Sequence, residues 1–152
     1  MILRNESESN RRLAEALIEG QKNQRLAALG TFVEALIRLE EMLDLSLLIF
    51  LRPRALIFEA VLDDLLSCVP FRDKVDTAVK CGIINSQTGD RIHELYNRRR
   101  KSVHGRLKGN PKREPLSREE GEALAQKCKE YTSLLLDVSK AKLEKSSSSQ
   151  GS

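Results

Sequence analysis

Tryptophan is missing from the 152 residues, and two Tyr and four Phe make up the whole aromatic complement. Sheets draw heavily on aromatic and β-branched residues, so this composition speaks against an all-β barrel or sandwich. Cysteine is scarce as well. Cys68, Cys81 and Cys128 are odd in number and widely spaced, with no CxxC pair. No apolar signal segment opens the sequence, and a reducing, cytoplasmic location is the expectation. Long hydrophobic runs are lacking: the longest, from Leu45 to Leu51, contains Ser46 and is far too short to cross a bilayer, so no membrane partner is expected. There is no Walker loop, no GxGxxG and no GxSxG, which leaves nucleotide hydrolysis, dinucleotide chemistry and hydrolase triads without support.

What is present favours helices. The chain is 40% hydrophobic and 32% charged, rich in Leu, Ala, Glu, Arg and Lys. The apolar share is too high for a disordered chain, and the length suits one domain with a core that needs no metal or disulfide. The pattern predicts an all-α fold, a compact bundle of five or six helices. Residues 1–10 are polar and expected to fray, residues 11–145 form the helical domain, and the Ser-rich residues 146–152 form a disordered tail.

Along the chain, Leu13, Leu17, Ile18, Leu26 and Leu29 predict a first helix weakened at Gly20. Thr31 is the expected N-cap of a second, whose positions Phe32, Leu36, Leu39, Leu43, Leu47 and Phe50 step by three and four. Arg52-Pro53 ends it. A third helix carries Leu56 to Leu66 and stops before Pro70. A short helix from Phe71 to Val79 ends near Gly82. Asn85 or Ser86 caps the next, which runs to His104 with Ile92, Leu95, Tyr96 and Val103 inward. Ser117-Arg118-Glu119-Glu120 reads as a capping box opening a last helix through Leu124, Cys128, Tyr131, Leu134, Leu135 and Val138.

The formal net charge of +4 hides a local excess. Between Arg98 and Arg113 lie Arg98, Arg99, Arg100, Lys101, Arg106, Lys108, Lys112 and Arg113, with no acidic residue. Eight of the 26 basic residues are here, so the remainder holds 18 against 22 acidic residues. Such a stretch attracts polyanions, chiefly nucleic acid; the plain alternative is a solvated helix end that complements the dipole.

The two histidines, His93 and His104, fall on one predicted helix, about 16 Å apart in rise, too far to share a metal ion. No metal and no cofactor are expected. Arg99 and His104 instead suit metal-free RNA cleavage. A neutral imidazole takes the 2′-hydroxyl proton or, protonated, supplies one to the leaving oxygen. A guanidinium holds the oxygens of the charge-rich transition state. Residues 99 and 104 are about 140° apart around an ideal helix. They therefore cooperate only across a groove or with copies from a second subunit, which a two-fold dimer supplies.

The stretch from Phe71 to Gly105 carries a family resemblance. A short helix ending in Gly82-Ile83-Ile84 is followed by a Leu-bearing helix ending in Arg98-Arg99-Arg100-Lys101-Ser102-Val103-His104-Gly105. This resembles the HEPN superfamily, all-helical proteins whose signature is Arg, four to six residues, then His near the end of a late helix. The resemblance implies a homodimeric, metal-independent endoribonuclease of the kind that serves as toxin, antiviral effector or RNA-processing enzyme. RNA is then the partner, joined in the toxin branch by an antitoxin or regulatory protein. Carried over, the motif residues are His104 and Arg99, with Arg98 also within the permitted spacing. Arg98, Arg100, Lys101, Ser102, Arg106 and Lys108 become RNA-binding. Two positions depart from the pattern: Arg100 follows the motif arginine where a smaller polar residue is usual, and Arg106 stands where one toxin branch has a modifiable Tyr. The alternative is a non-catalytic helical module of the same superfamily, acting in regulation as a mannitol-repressor-like protein does, or in protein or nucleic-acid binding.

Overall fold

In a computed structural model of the chain, residues 2–51, 59–103 and 116–150 are described, and these residues form five α-helices without a strand among them. The helices are α1 (Ile2–Leu51), α2 (Glu59–Cys68), α3 (Phe71–Lys80), α4 (Ser86–Val103) and α5 (Arg118–Gln150). The all-α expectation holds.

Helix α1 is one rod where the sequence predicts two. Gly20 and Gly30 each cost about 1 kcal/mol against Ala, yet they keep their backbone donors and do not end a helix. Thr31 is not a cap: its hydroxyl donates to the Ala27 carbonyl one turn back. Helix α1 also starts at Ile2 and α5 runs to Gln150, so the segments expected to fray or to form a tail are helical at 2–10 and 146–150. The expected break at Arg52-Pro53 and the first residues of the third helix, from Leu56, lie outside the described residues.

The core is the seam between α1 and α5. Phe32, Leu36, Leu39, Leu43 and Leu47 are buried in α1, facing Ala125, Cys128 and Leu135 of α5. Leu134, expected inward, is 42% exposed, because it sits about 100° off the Leu135 line. The same offset of 93 residues joins Ser46 to Ser139, whose hydroxyls meet at 2.9 Å, and Ala28 to Gly121, which nearly touch. A constant positive offset means that the two helices run parallel. Helices α3 and α4 cover one side of this pair.

Local signals fix α3 and α4. Gly82 adopts φ +76°, the left-handed conformation that closes α3. Around it the Ile83 N–H donates to Ala78 O at 2.9 Å and the Gly82 N–H to Val79 O at 3.1 Å. Ile83 and Ile84 then turn into the core. Asn85 is the cap of α4, its Oδ1 accepting the Thr88 N–H at 2.7 Å. Phe71 stacks on Tyr96 with centroids 4.8 Å apart, pinning the start of α3 to the middle of α4.

Two polar ties complete the frame. Lys74 of α3 is 4% exposed, its ammonium 2.9 Å from Asp44 Oδ1 and 3.5 Å from Glu40 Oε1 of α1. Asp44 Oδ1 is buried and makes no hydrogen bond among the described residues, so the Lys74 charge is its compensation. His93 Nε2 lies 2.9 Å from Asp76 Oδ1, tying α4 to α3.

The cysteines are free, and burial grades them: Cys68 is exposed, Cys81 half-buried and Cys128 buried. Desolvation pushes the Cys128 thiol up to about 11. At pH 8 the thiolate fraction is then on the order of one in a thousand, before access is considered. A thiol reagent at pH 8 is expected to label Cys68 and Cys81 and to reach Cys128 only in denaturant. Rapid labelling of three thiols in the native protein would contradict the α1–α5 core.

Candidate functional site at the end of helix α4

The last turns of α4 hold Arg98, Arg99, Arg100, Lys101 and Ser102. Ile92, Leu95 and Ser102 are the buried positions of this helix half. Steps of three and four from Ile92 pass through Leu95 and Arg99 to Ser102, so Arg99 stands in line with the buried stripe.

The three arginines have different environments. Arg98 is turned into the fold. Its Nε meets Glu120 Oε1 at 2.7 Å and its Nη2 meets Glu120 Oε2 at 3.1 Å, a two-pronged pair that joins the end of α4 to the start of α5. Its Nη1 donates to Ser102 Oγ at 3.0 Å, and the Ser102 hydroxyl donates to the Arg98 carbonyl at 2.9 Å. Ser102 is 2% exposed. Arg100 and Lys101 are exposed. Arg99 is half-buried, and no carboxylate pairs with it among the described residues.

Arg98 and Ser102, expected to contact RNA, thus have their polar atoms engaged inside the fold. Five donors in a planar fork make Arg98, itself largely buried, a better match for the Glu120 carboxylate than a point charge would be. Arg99, Arg100 and Lys101 form no ion pair with an acidic residue among the described residues, and the charge of Arg100 and Lys101 in the last turn complements the C-terminal end of the α4 dipole. His104, Arg106 and Lys108 lie outside the described residues.

Glu120 is the residue that sequence reasoning placed but did not assign. Its backbone N–H donates to Ser117 Oγ at 3.1 Å, so the capping box forms. Its carboxylate serves Arg98. The Arg98 hydrogen bonds hold that carboxyl below the usual glutamate range, against a smaller opposing effect of burial, with help from the Arg98 charge and the Ser117 backbone N–H. A lowered carboxyl pKa stabilises the fold above the ordinary glutamate value, and that contribution fades as pH falls through the lowered one. The signal available in the sequence was the pairing of an arginine-rich helix end with a Glu one turn inside the next helix.

Compared with models of protein families, with curated proteins and with solved structures, the chain matches none of them.

Proposed function

We propose that this chain is a metal-independent endoribonuclease of HEPN type, working as a homodimer in which α4 ends face a shared cleft. The supporting observation is the sorting of the arginines. Arg98 is neutralised by Glu120, whereas Arg99 is half-buried in line with the α4 stripe and has no acidic partner among the described residues. A guanidinium placed so is ready for an external anion, and a phosphodiester is the anion that a basic helix end followed by His104 suits.

In this reading the His104 imidazole takes the 2′-hydroxyl proton, and the resulting oxygen attacks the adjacent phosphorus. The bond to the 5′-oxygen breaks, and that oxygen takes up a proton. Products are a 2′,3′-cyclic phosphate and a 5′-hydroxyl. Arg99 holds the phosphoryl oxygens as charge builds. Arg100 and Lys101, joined by Arg106 and Lys108, steer the strand through its phosphates without reading sequence. The location is cytoplasmic, and a toxin or antiviral role fits a nuclease that reads no sequence.

Incubation of the purified chain with end-labelled RNA in EDTA is expected to give cyclic-phosphate products. His104→Ala should reduce their formation by roughly 10³-fold, within the range for losing a general acid or base, without changing the helical circular dichroism. Equal cleavage by wild type and variant would discard the assignment. Salt-dependent RNA binding with no cleavage by the wild type would instead support the regulatory, non-catalytic module.

A further inference from the structure

From Glu8 to Ala27 every residue of α1 except Gly20 is exposed, and the first buried position is Ala28. This arm extends about 30 Å beyond the start of the core, at 1.5 Å per residue. Two of its cations stand out. Arg11, Arg12 and Arg38 of α1 each form an ion pair with a glutamate four residues away, respectively Glu15, Glu8 and Glu34. Exposed Lys22 and Arg25 form none among the described residues. The positions one turn from Arg25 are Gln21, Lys22, Ala28 and Leu29, and those one turn from Lys22 are Ile18, Glu19, Arg25 and Leu26. The one carboxylate in this set, Glu19, lies about 60° round the helix from Lys22, on the side away from Arg25.

These two cations lie on the flank of α1 where α4 ends. The α1 line Ala28, Phe32, Ala35 and Leu39 is buried against α5, and Glu40 and Asp44 hold Lys74 of α3. Between those lines runs a flank carrying Leu36 and Leu29. One further seven-residue step reaches Lys22, with Arg25 one turn from both Lys22 and Leu29. Arg98 of α4 meets Glu120, whose neighbour Gly121 nearly touches Ala28, so the end of α4 stands level with the start of the arm. Ile92 and Leu95 anchor the preceding turns in the core, and α4 therefore leaves the core beside the arm. On α4 itself the Arg98 line meets α5 and the Tyr96 line meets α3. Arg99 falls between them, about 100° from the first and 60° from the second, on the side of α1.

We propose that Lys22 and Arg25 bind backbone phosphates of an RNA strand on its way to Arg99, so that the cleft between the arm and the end of α4 is the strand's path. The identity of the polyanion rests on the nuclease reading, whereas the path rests on charge. Lys22, Arg25, Arg99, Arg100 and Lys101 come from two helices and form no ion pair among the described residues. Of the acids close to them, Glu120 is taken by Arg98 and Glu15 by Arg11. Like charges held together in this way cost the folded state, and a polyanion entering the cleft relieves the repulsion. The exposed arm and the last turns of α4 contain no aromatic side chain except Tyr96, which is stacked on Phe71. The strand is therefore held through its phosphates and not by stacked bases.

Fluorescence anisotropy with a labelled single-stranded RNA tests the path, in EDTA and in the His104→Ala full chain so that the strand stays whole. Adding Lys22→Ala with Arg25→Ala should weaken binding about tenfold near physiological salt. It should also flatten the slope of log K against log salt by about 1.4, at roughly 0.7 per phosphate contact on a single strand. Both side chains are exposed, so helicity should not change. The control is Lys129→Ala with Lys140→Ala, which removes the same charge from exposed positions about 180–200° round α5 from Glu120. It should change binding by less than about twofold, because charges away from the strand are screened. Equal binding by the arm variant, an equal loss in the control, or no RNA binding by the parent chain would overturn the path. Cleavage is scored separately on the wild type. Arm-dependent binding without strand scission would retire the nuclease and leave the path standing, and scission alongside an arm variant that binds normally would do the reverse.

Discussion

Arg99→Ala is expected to lower RNA cleavage by roughly 10²- to 10³-fold, the usual loss when one transition-state donor is removed. Its effect on unfolding should stay within about 1 kcal/mol, since Arg99 has no acidic partner among the described residues and gives up only the packing of its half-buried stem. The neighbouring change, Arg98→Ala, should behave in the reverse sense. It leaves the Glu120 carboxylate without its two-pronged donor and the Ser102 hydroxyl without the Nη1 bond. The Glu120 side chain is 43% exposed, so water replaces part of what is lost. A destabilisation of about 1–2 kcal/mol follows, at the modest end for a charged hydrogen bond. Cleavage should fall only as far as the end of α4 loosens. Urea titrations and initial cleavage rates on both variants measure the two axes independently. If Arg98→Ala abolished cleavage at unchanged stability while Arg99→Ala did neither, Arg98 would be the phosphate-binding arginine and the pair with Glu120 would have to open in the working enzyme.

Periodicity alone carried most of the architecture. The stripe from Phe32 to Leu47 is buried along its length, and Gly82, Asn85 and Ser117 mark the helix ends they predict, because each acts through a bond made within its own turn. What local chemistry does not encode is continuity. Gly30-Thr31 has the look of a boundary, yet a glycine removes no donor and a threonine caps only if the chain bends away. Here the α1–α5 seam runs straight past both residues, and the threonine hydroxyl bonds back to Ala27. The direction of α5 was equally hidden. Parallel packing of the first and last helices is a property of pairs 93 residues apart, and nothing in either segment alone specifies it. The candidate site divides in the same way. The basic helix end was legible as charge, but the separation of Arg98 from Arg99 depends on Glu120, which belongs to another helix.

That hidden seam makes its own demand on sequence, at Gly121. A Cβ added there would lie 2.8 Å from Ala28 Cβ and 3.0 Å from the Ala28 carbonyl oxygen. The carbonyl is helix backbone and cannot rotate away, so α1 and α5 must part. Gly121→Leu should therefore destabilise the protein by about 3 kcal/mol, at the upper end for an overpacked core. Gly121→Ala should lose about 1 kcal/mol, since its clash outweighs a helix-propensity gain of similar size. Gly30→Ala is the matched comparison. It lies in α1, the other helix of the seam, with nothing within 4 Å of the new methyl group. Propensity alone then acts, and a gain of roughly 0.5–1 kcal/mol is expected. Trimming Ala28 to Gly should only partly rescue Gly121→Ala, because the carbonyl contact survives. The quantity to compare is the urea midpoint, followed by helical circular dichroism. Opposite signs for the two alanine variants would place α5 against Ala28 in the parallel sense. Two equal gains would mean that α1 and α5 never approach there, and the frame that presents Arg99 at one end of the seam would have to be redrawn.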